Sequence, residues 1–280
     1  MLRYGQVSVE GRTIRYATEG TGPPLVLLHG PPFDHRLWAP VIPYLAGRFR
    51  VVAPDLPGFG GSQPGERAGA PDQLVRAVAG FVTAARLVPC AVAGASLGGG
   101  VAVGLAARYP ERVSALVGVG ALGLEWWPAT LQARAARLAR HVPGLLRAAM
   151  RLAPDAQARW FLRGALADER LIDDALVAQV AETLRSRRGR ESLRDVLRRL
   201  DEWSALRRQL GAIRARTLLV WGERDEVYGL PAAERLRHAI PGAQLVTLAG
   251  AGHLLPIERP VELAEVMRGF LLQQAAAPAR

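Results

Sequence analysis

The sequence predicts an α/β protein with a mostly parallel central sheet flanked by helices and interrupted by an all-helical insertion. Short apolar runs alternate with amphipathic stretches along most of the chain, which is typical of βαβ units. Two alternating segments near the start, residues 6–9 and 13–18, are joined at Glu10-Gly11 and predict an antiparallel hairpin at the sheet edge. Between Leu122 and Leu210 the pattern changes to Arg-rich helical segments without a strand signal.

The remaining elements follow in chain order from their local patterns. Short, continuously apolar runs predict strands that are buried because helices cover both faces of the sheet. These predicted strands are residues 25–28, 50–53, 90–94, 113–119, 217–221 and 244–248. Helices are predicted at residues 73–86, 97–108 and 232–239, and a final helix begins at Pro260, since proline suits the first helical turn. The chain therefore divides into a core, residues 1–121 and 211–280, and a helical lid, residues 122–210.

The charge composition does not indicate a nucleic-acid-binding protein. The net charge is +11, and clustered cations would bind polyanions. All 36 basic residues are arginine, however, and the chain contains neither lysine nor asparagine. Both missing residues have A-rich codons, so a G+C-biased genome explains the composition better than a phosphate-binding face. We therefore expect no nucleic-acid partner.

The sequence shows no pattern of a secreted or membrane protein. Its first residues lack the apolar stretch of a signal peptide, which predicts a cytoplasmic location. The uncharged interval 87–107 is about as long as a spanning helix, but it contains Pro89 and five glycines. A buried strand that turns into a buried helix explains this interval better, so no membrane partner is expected.

Ser96 is the candidate nucleophile. It lies in Gly94-Ala95-Ser96-Leu97-Gly98, between an apolar strand and a helix, which is the context that the G-x-S-x-G pattern requires. The tight turn strains the serine backbone, and small neighbours such as Gly94 and Gly98 leave room for the chain to reverse. Backbone N–H groups and the positive end of the helix dipole would stabilise an oxyanion that forms beside Ser96.

A nucleophilic serine needs a general base and a third group that orients the base. His253 lies in a glycine-rich loop directly after a predicted strand, where α/β folds place reactive groups. His238, by contrast, lies near the C-terminal end of a predicted helix, where a cation is favourable. The candidate acid is Asp225, which directly follows another predicted strand, and Glu223 and Glu226 are close alternatives.

Taken together, these motifs resemble the α/β-hydrolase superfamily, and the resemblance covers nearly the whole chain apart from the lid. Five features carry it in the expected order: His29-Gly30, Asp55-Leu-Pro-Gly-Phe-Gly-Gly-Ser62, the serine turn, the Gly-x-x-Asp225 turn, and Gly-His253 with the following Glu258-Arg-Pro260. The resemblance implies the α/β-hydrolase fold and a triad of Ser96, Asp225 and His253. Some members carry the acid after the strand that precedes the lid, and Glu125 is the nearest candidate there.

One departure from the superfamily pattern concerns the oxyanion hole. Members with a short His-Gly loop commonly donate one hydrogen bond from the residue after the glycine, but here that residue is Pro31, which has no N–H. Leu97, which follows the nucleophile, can supply one donor. The second would come from Phe33, from Gly30 or from a shifted loop, or it would be absent. Losing one donor typically costs about 10²–10³ in rate, which predicts a slow enzyme.

The predicted function is hydrolysis of a carboxylic ester, lactone or thioester through an acyl-enzyme on Ser96, without a metal or cofactor. The partner would be a small, largely apolar substrate. Pro31, together with Trp126 and Trp127 at the lid entrance, would contact it, because aromatic side chains there can line an apolar acyl or aryl pocket. Dehalogenases and epoxide hydrolases of the superfamily carry an aspartate in place of the serine, which disfavours those activities.

Two further kinds of function stay open, because a fold alone does not fix an activity. The same triad could hydrolyse a carbon–carbon bond in a ring-fission diketone, or cleave a residue from a peptide N-terminus as an aminopeptidase. The chain could also be a non-catalytic ligand-binding member of the fold. The Pro31-Pro32 pair favours this last reading, whereas the complete triad speaks against it.

Overall fold

A single mixed sheet lies at the centre of the molecule. The computed structural model describes residues 1–67, 69–122 and 153–275. Within these residues, eight strands form the sheet in the order β1-β2-β4-β3-β5-β6-β7-β8. The strands are β1 (Arg3–Val9), β2 (Arg12–Glu19), β3 (Pro24–Leu28), β4 (Arg50–Pro54), β5 (Cys90–Ala95), β6 (Val113–Val119), β7 (Arg216–Gly222) and β8 (Gln244–Leu248).

Helices connect the strands and cover the sheet. In the described ranges they are α1 (Ile42–Leu45), α2 (Pro71–Ala84), α3 (Leu97–Arg108), α4 (Pro154–Ala165), α5 (Asp174–Arg185), α6 (Arg187–Arg198), α7 (Leu230–Ala239), α8 (Leu255–Glu258) and α9 (Pro260–Ala275). Short 3₁₀ segments occur at His35–Trp38, Pro110–Arg112 and Glu169–Leu171, and a longer one at Leu200–Ala212. No helix among the described residues is both long and apolar enough to cross a membrane.

The β1–β2 hairpin forms one edge of the sheet, as the sequence predicts. Val9 pairs with Arg12 across the two-residue turn Glu10-Gly11, whose φ angles are 49° and 75°. Positive φ at both positions is the geometry of the tight turns that match the twist of paired strands. β2 pairs antiparallel with β4, and every later neighbour in the sheet is parallel.

The two faces of the sheet belong to two hydrophobic clusters. In β3, Val26 and Leu28 join the cluster that contains α2 and α3, whereas Leu25 and Leu27 join the cluster that contains α9. All four side chains are fully buried. Since successive residues of a strand point to opposite faces, burial on both faces explains why this strand is apolar throughout.

The predicted fold class is confirmed, and most predicted elements begin and end within two residues of the observed bounds. β6, β8 and α3 have the predicted bounds, and α9 begins at Pro260 as expected. The other parallel strands extend by one residue at one or both ends. These elements could be located because their apolar runs end at clear turn residues.

The described part of the chain between β6 and β7 contains helices and no strand. Residues 153–212 contain α4, α5, α6 and the long 3₁₀ segment, with no strand among them. The 3₁₀ segment packs Trp203 and Leu206 against Gly100 and Gly104 of α3, so it supports the helix that follows Ser96. The lid boundaries stay a prediction, because residues 123–152 lie outside the described part of the chain.

Candidate active site

Ser96 occupies a strained turn at the carboxyl end of β5. Its φ of 52° and ψ of −122° are unfavourable for a residue with a Cβ, at a cost of about 1–3 kcal/mol. The turn requires glycine at position 98, because a Cβ there would overlap the Leu28 carbonyl group. Ser96 is partly exposed, whereas its neighbours from Cys90 to Ala95 and from Leu97 to Gly100 are buried. The sequence motif therefore forms a sharp elbow that presents a serine.

Backbone hydrogen bonds tie this elbow to the end of β6. The Ser96 N–H donates to the Val119 carbonyl at 3.0 Å, and the Leu122 N–H donates to the Ser96 carbonyl at 2.8 Å. Leu97 is the first residue of α3, and among the described residues its N–H has no hydrogen-bond acceptor. A free N–H at a helix N-terminus favours a negative charge beside Ser96.

Asp225 and His253 form a buried pair at the ends of β7 and β8. His253 Nδ1 lies 2.9 Å from Asp225 Oδ2, and Asp225 Oδ1 accepts from the N–H groups of Val227 at 2.8 Å and Tyr228 at 3.1 Å. Burial alone would raise the Asp225 pKa, but the charge of His253, its hydrogen bond and the two N–H groups hold that pKa below its ordinary value. An ionised carboxylate only accepts hydrogen bonds, so His253 Nδ1 donates to Asp225, and Nε2 is the ring nitrogen left to act as a base.

The loop that carries His253, residues 249–254 (the histidine loop), is fastened to the helical insertion. The His253 N–H donates to the Ala165 carbonyl at 2.8 Å. The buried Glu258 carboxylate accepts from Gly252 N–H through Oε1 and from Ala167 N–H through Oε2, both at 2.9 Å. Glu258 thus holds the histidine loop and the chain after α4 at the same time. In the sequence Glu258 is only part of a motif, and no pattern near it indicates this contact.

Tyr228 is the second residue that sequence reasoning missed. Its ring packs edge-to-face on His253, with 5.1 Å between ring centroids and an interplanar angle of 83°. Burial raises the Tyr228 pKa, and the neighbouring Ser96 hydroxyl opposes that rise in part. The only signal in the sequence is the position of Tyr228, which is three residues after Asp225.

The loop after β3, residues 29–34 (the proline loop), lies beside Ser96. A Cβ at Gly30 would approach Ser96 Cβ to 2.7 Å and the Leu97 nitrogen to 3.3 Å. The Phe33 N–H donates to the Gly30 carbonyl at 3.1 Å and is therefore engaged within the loop. Pro31 is partly buried. Of the predicted oxyanion donors, Leu97 and Gly30 thus keep an N–H without a described acceptor, whereas Phe33 does not.

The proline loop is also fastened to the helical insertion. The Thr183 hydroxyl of α5 donates to the Pro32 carbonyl at 2.7 Å, and the Phe33 ring lies 6.2 Å from that of Phe161 in α4, centroid to centroid. His29 accepts a hydrogen bond from Leu56 N–H through Nε2 at 2.8 Å, and burial lowers the His29 pKa. His29 therefore serves as a neutral support for the loop.

Asp34, His35 and Asp55 are close enough to resemble a metal-ligand set, since one ligand atom of each lies within 4.8 Å of the others. Protein donors already occupy these groups. Asp55 Oδ1 lies 2.7 Å from His35 Nδ1, Asp55 Oδ2 accepts from Gly61 N–H at 2.8 Å, and Asp34 accepts from Arg36 at 2.7–3.0 Å. We interpret the cluster as a hydrogen-bonded network that holds the proline loop.

The alternatives left open by the sequence fall in other places. Glu223 and Glu226 are exposed, and Glu223 accepts from Gly250 N–H at 2.9 Å rather than from His253. His238 is exposed at the end of α7, where Nδ1 lies 2.7 Å from the Glu234 carbonyl. The candidate acid Glu125 and the predicted substrate-binding residues Trp126 and Trp127 lie outside the described residues.

Three features together define an α/β hydrolase: the parallel sheet, the serine at the elbow after β5, and the buried pair of Asp225 and His253. Residues 23–260 match the model of the α/β hydrolase fold family, and the chain belongs to that family. It is 30% identical to 2-hydroxymuconate semialdehyde hydrolase of Pseudomonas sp. (strain CF600), across 92% of this chain and 90% of that protein. It is also 30% identical to a pimeloyl-(acyl-carrier protein) methyl ester esterase of Aeromonas hydrophila, across 90% of this chain and 96% of the esterase.

Solved structures agree with this assignment. A meta-cleavage product hydrolase from Pseudomonas fluorescens IP01 superposes with a TM-score of 0.82 at 25% sequence identity, covering 96% of this chain and 97% of that structure. The semialdehyde hydrolase, the methyl ester esterase and the meta-cleavage product hydrolase differ in substrate, so they support hydrolase activity here only as a class.

Proposed function

We propose that this chain is a serine hydrolase that cleaves small, largely apolar carboxylic esters, lactones or thioesters through an acyl-enzyme on Ser96. The observation that carries the proposal is the 2.9 Å contact between His253 and Asp225, beside a serine held in a strained elbow. Backbone strain and a buried carboxylate are both costly, and they are typical of sites built for catalysis.

In the proposed reaction, Ser96 Oγ attacks the substrate carbonyl while His253 Nε2 takes the hydroxyl proton. Asp225 keeps Nδ1 protonated and stabilises the imidazolium that forms. The tetrahedral oxyanion lies beside the free N–H of Leu97. His253 then protonates the leaving alcohol or thiol, and a water molecule activated by the same histidine releases the acid.

The proline loop limits the oxyanion hole in this proposal. Pro31 has no N–H and the Phe33 N–H is engaged by Gly30 at 3.1 Å, so Leu97 is the principal backbone donor. Gly30 is the nearest further candidate, because it lies against Ser96. A single strong donor agrees with the expectation of a modest turnover.

Carbon–carbon bond hydrolysis is the second candidate, because a semialdehyde hydrolase and a meta-cleavage product hydrolase are among the similar proteins. Both reactions would begin at the same triad. A ring-fission diketone and an aryl ester, offered to the same preparation, separate them by the ratio of their kcat/KM values.

The test is covalent labelling with a fluorophosphonate probe, mapped by mass spectrometry, followed by aryl esters of graded acyl length. We expect labelling at Ser96, its loss in Ser96→Ala and its retention in Ser204→Ala, which changes an exposed serine. Labelling at another residue contradicts the mechanism. A folded sample with neither labelling nor turnover of the ester or the diketone would favour a non-catalytic, ligand-binding protein.

A further inference from the structure

A threonine hydroxyl of the helical insertion reaches out of its helix to the proline loop. Thr183 of α5 is partly buried, and its Oγ1 donates to the Pro32 carbonyl at 2.7 Å, across 151 positions of the chain. A threonine inside a helix commonly bonds instead to a carbonyl of the preceding turn. Thr83 of α2 does so, because its hydroxyl donates to the Ala79 carbonyl at 3.1 Å. The direction of the Thr183 hydroxyl is therefore specific to the contact with the proline loop.

The surroundings of Thr183 reinforce this contact. Gly189, in the first turn of α6, packs on Thr183 so closely that a Cβ there would approach Thr183 Cγ2 to 2.9 Å. The preceding residue, Glu182, lies 2.6 Å from Arg36, which in turn lies 2.7 Å from Asp34 at the end of the proline loop. The C-terminal part of α5 thus contacts the loop through two successive residues.

The proline loop depends on a donor from outside, because two of its residues, Pro31 and Pro32, have no N–H. Its internal hydrogen bond, from the Phe33 N–H to the Gly30 carbonyl at 3.1 Å, closes residues 30–33 into a turn. Pro32 is buried, and a buried carbonyl without a donor is costly. Since the turn is closed, a hydrogen bond at Pro32 also fixes the position of Gly30 at its other end.

Gly30 is the part of this turn that meets the proposed nucleophile. A Cβ at Gly30 would approach Ser96 Cβ to 2.7 Å and the Leu97 nitrogen to 3.3 Å. The position of Gly30 therefore sets the width of the space beside the Leu97 N–H, where the oxyanion forms in the proposed reaction. Misplacement of a reacting geometry by about 1 Å can cost about 10²-fold in rate, so a small movement of the turn matters.

We propose that Thr183 is a positioning residue of the active site, whose hydroxyl holds the proline loop against Ser96 and keeps the oxyanion space formed. The inference rests on the proposed function, since it assigns a role to Thr183 only if Ser96 is the nucleophile. Thr183 exchanges no proton and acts through Pro32 and Gly30. Because the oxyanion exists only in the transition state and the intermediate, Thr183 affects kcat rather than KM.

The test compares Thr183→Val, which removes the hydroxyl, with Thr183→Ser, which keeps it. Asp173→Ala is the matched control for the stability of α5. Asp173 caps the same helix by accepting from the Leu176 N–H at 2.7 Å, and it is distant in sequence from the contact with the loop. The readouts are kcat and KM for the ester or diketone that the wild type cleaves, and the unfolding temperature of each variant. Thr183→Ala replaces Thr183→Val in the comparison if the valine variant does not fold.

We expect Thr183→Val to reduce kcat by about tenfold with little change in KM, because the oxyanion space is misaligned. Thr183→Ser should stay within about threefold of the wild-type kcat, because its hydroxyl can still donate to Pro32. Asp173→Ala should lower the unfolding temperature and keep the wild-type kcat. This combination separates the position of the loop from the stability of the helix.

Four results would overturn the role of Thr183 while the wild type still turns over substrate and is labelled at Ser96. They are a kcat of Thr183→Val within about threefold of wild type, an equal loss in Asp173→Ala, a serine variant as slow as the valine variant, and a change confined to KM. The proposed function would then stand without this inference. If the wild type shows neither turnover nor labelling, the proposed function fails and this inference fails with it.

Discussion

The histidine loop and the proline loop approach Ser96 from the ends of different strands, and they are built in contrasting ways. Both are fastened to the helical insertion, the first through Ala165 and the second through Thr183. The histidine loop presents a side chain whose partner is fixed at 2.9 Å, with its flanking N–H groups bonded to Glu258 and Ala165. The proline loop presents backbone, and its N–H groups are missing at Pro31 or engaged at Phe33.

The difference shows where the site is complete and where it is limited. Proton transfer has a full set of partners, whereas stabilisation of the oxyanion relies mainly on the Leu97 N–H. Removing a group from the histidine side should therefore cost much activity. Adding a group to the proline side should increase activity. Substitutions on the two sides of Ser96 test this asymmetry.

Asp225→Asn should reduce kcat by about 10³–10⁴-fold with little change in KM, because the amide can donate to Nδ1 and so stabilise the wrong tautomer of His253. The measurement is steady-state turnover of an aryl ester. Glu226→Gln, which changes the exposed neighbouring carboxylate, is the matched control and should keep wild-type turnover. A loss below about tenfold, roughly 1.4 kcal/mol, would remove Asp225 from the proposed triad.

Glu258→Gln should reduce kcat by about 10-fold and the free energy of unfolding by about 1–3 kcal/mol. The amide has a single oxygen in place of two carboxylate acceptors, so the buried N–H of either Gly252 or Ala167 loses its hydrogen bond. The readouts are kcat and denaturant unfolding, and Glu262→Gln on the exposed surface of α9 is the control. Lower stability with unchanged kcat would limit Glu258 to a structural role and show that the histidine loop keeps its geometry without it.

Asp225 and Glu258 also show how much of the site the sequence can predict. Ser96, Asp225 and His253 follow strands that are recognisable locally, so the parallel sheet brings them to the same edge. Glu258 reaches Ala167, which is 91 positions away, and that contact depends on how α4 ends rather than on any pattern near Glu258. Tyr228 likewise gains its importance only from the packing of its ring on His253.

The backbone path of the proline loop likewise limits what the sequence can predict about its hydrogen-bond donors. The sequence shows that Pro31 lacks an N–H, but it does not show that the Phe33 N–H turns back to the Gly30 carbonyl. The number of free donors depends on the backbone path through residues 29–34. A residue pattern specifies the identities in such a loop, whereas the direction of each N–H follows from the contacts that hold it.

Pro31→Ala should raise kcat by up to about tenfold, because it restores an N–H beside Gly30 and an oxyanion donor can contribute about 10²–10³ when fully aligned. KM should change little, since the gain is in the transition state. Pro32→Ala is the matched control: it changes the neighbouring proline of the same loop and should not raise kcat. Equal gains in both variants would assign the effect to a looser loop, and a lower kcat in Pro31→Ala would contradict the comparison drawn above.

The smallest effect concerns the network that holds the proline loop. Burial would lower the His35 pKa, but the hydrogen bond and charge of Asp55 raise it above its ordinary value, whereas the Asp55 pKa is lowered. Protonated His35 therefore stabilises the folded chain fully below the unfolded-state pKa of about 6.5, and this contribution is lost as the pH rises through the folded-state pKa. His35→Asn lacks that contribution.

The difference in unfolding free energy between wild type and His35→Asn should therefore be larger at about pH 5.5 than at about pH 8.5, since Asp55 is ionised at both values. Urea unfolding at the two pH values measures it, with His238→Asn as a control because His238 is exposed on α7. A difference that does not change with pH would mean that the charge of His35 does not contribute to folding. The network would then hold the proline loop through its hydrogen bonds and the Arg36–Asp34 ion pair, without a contribution from the charge of His35.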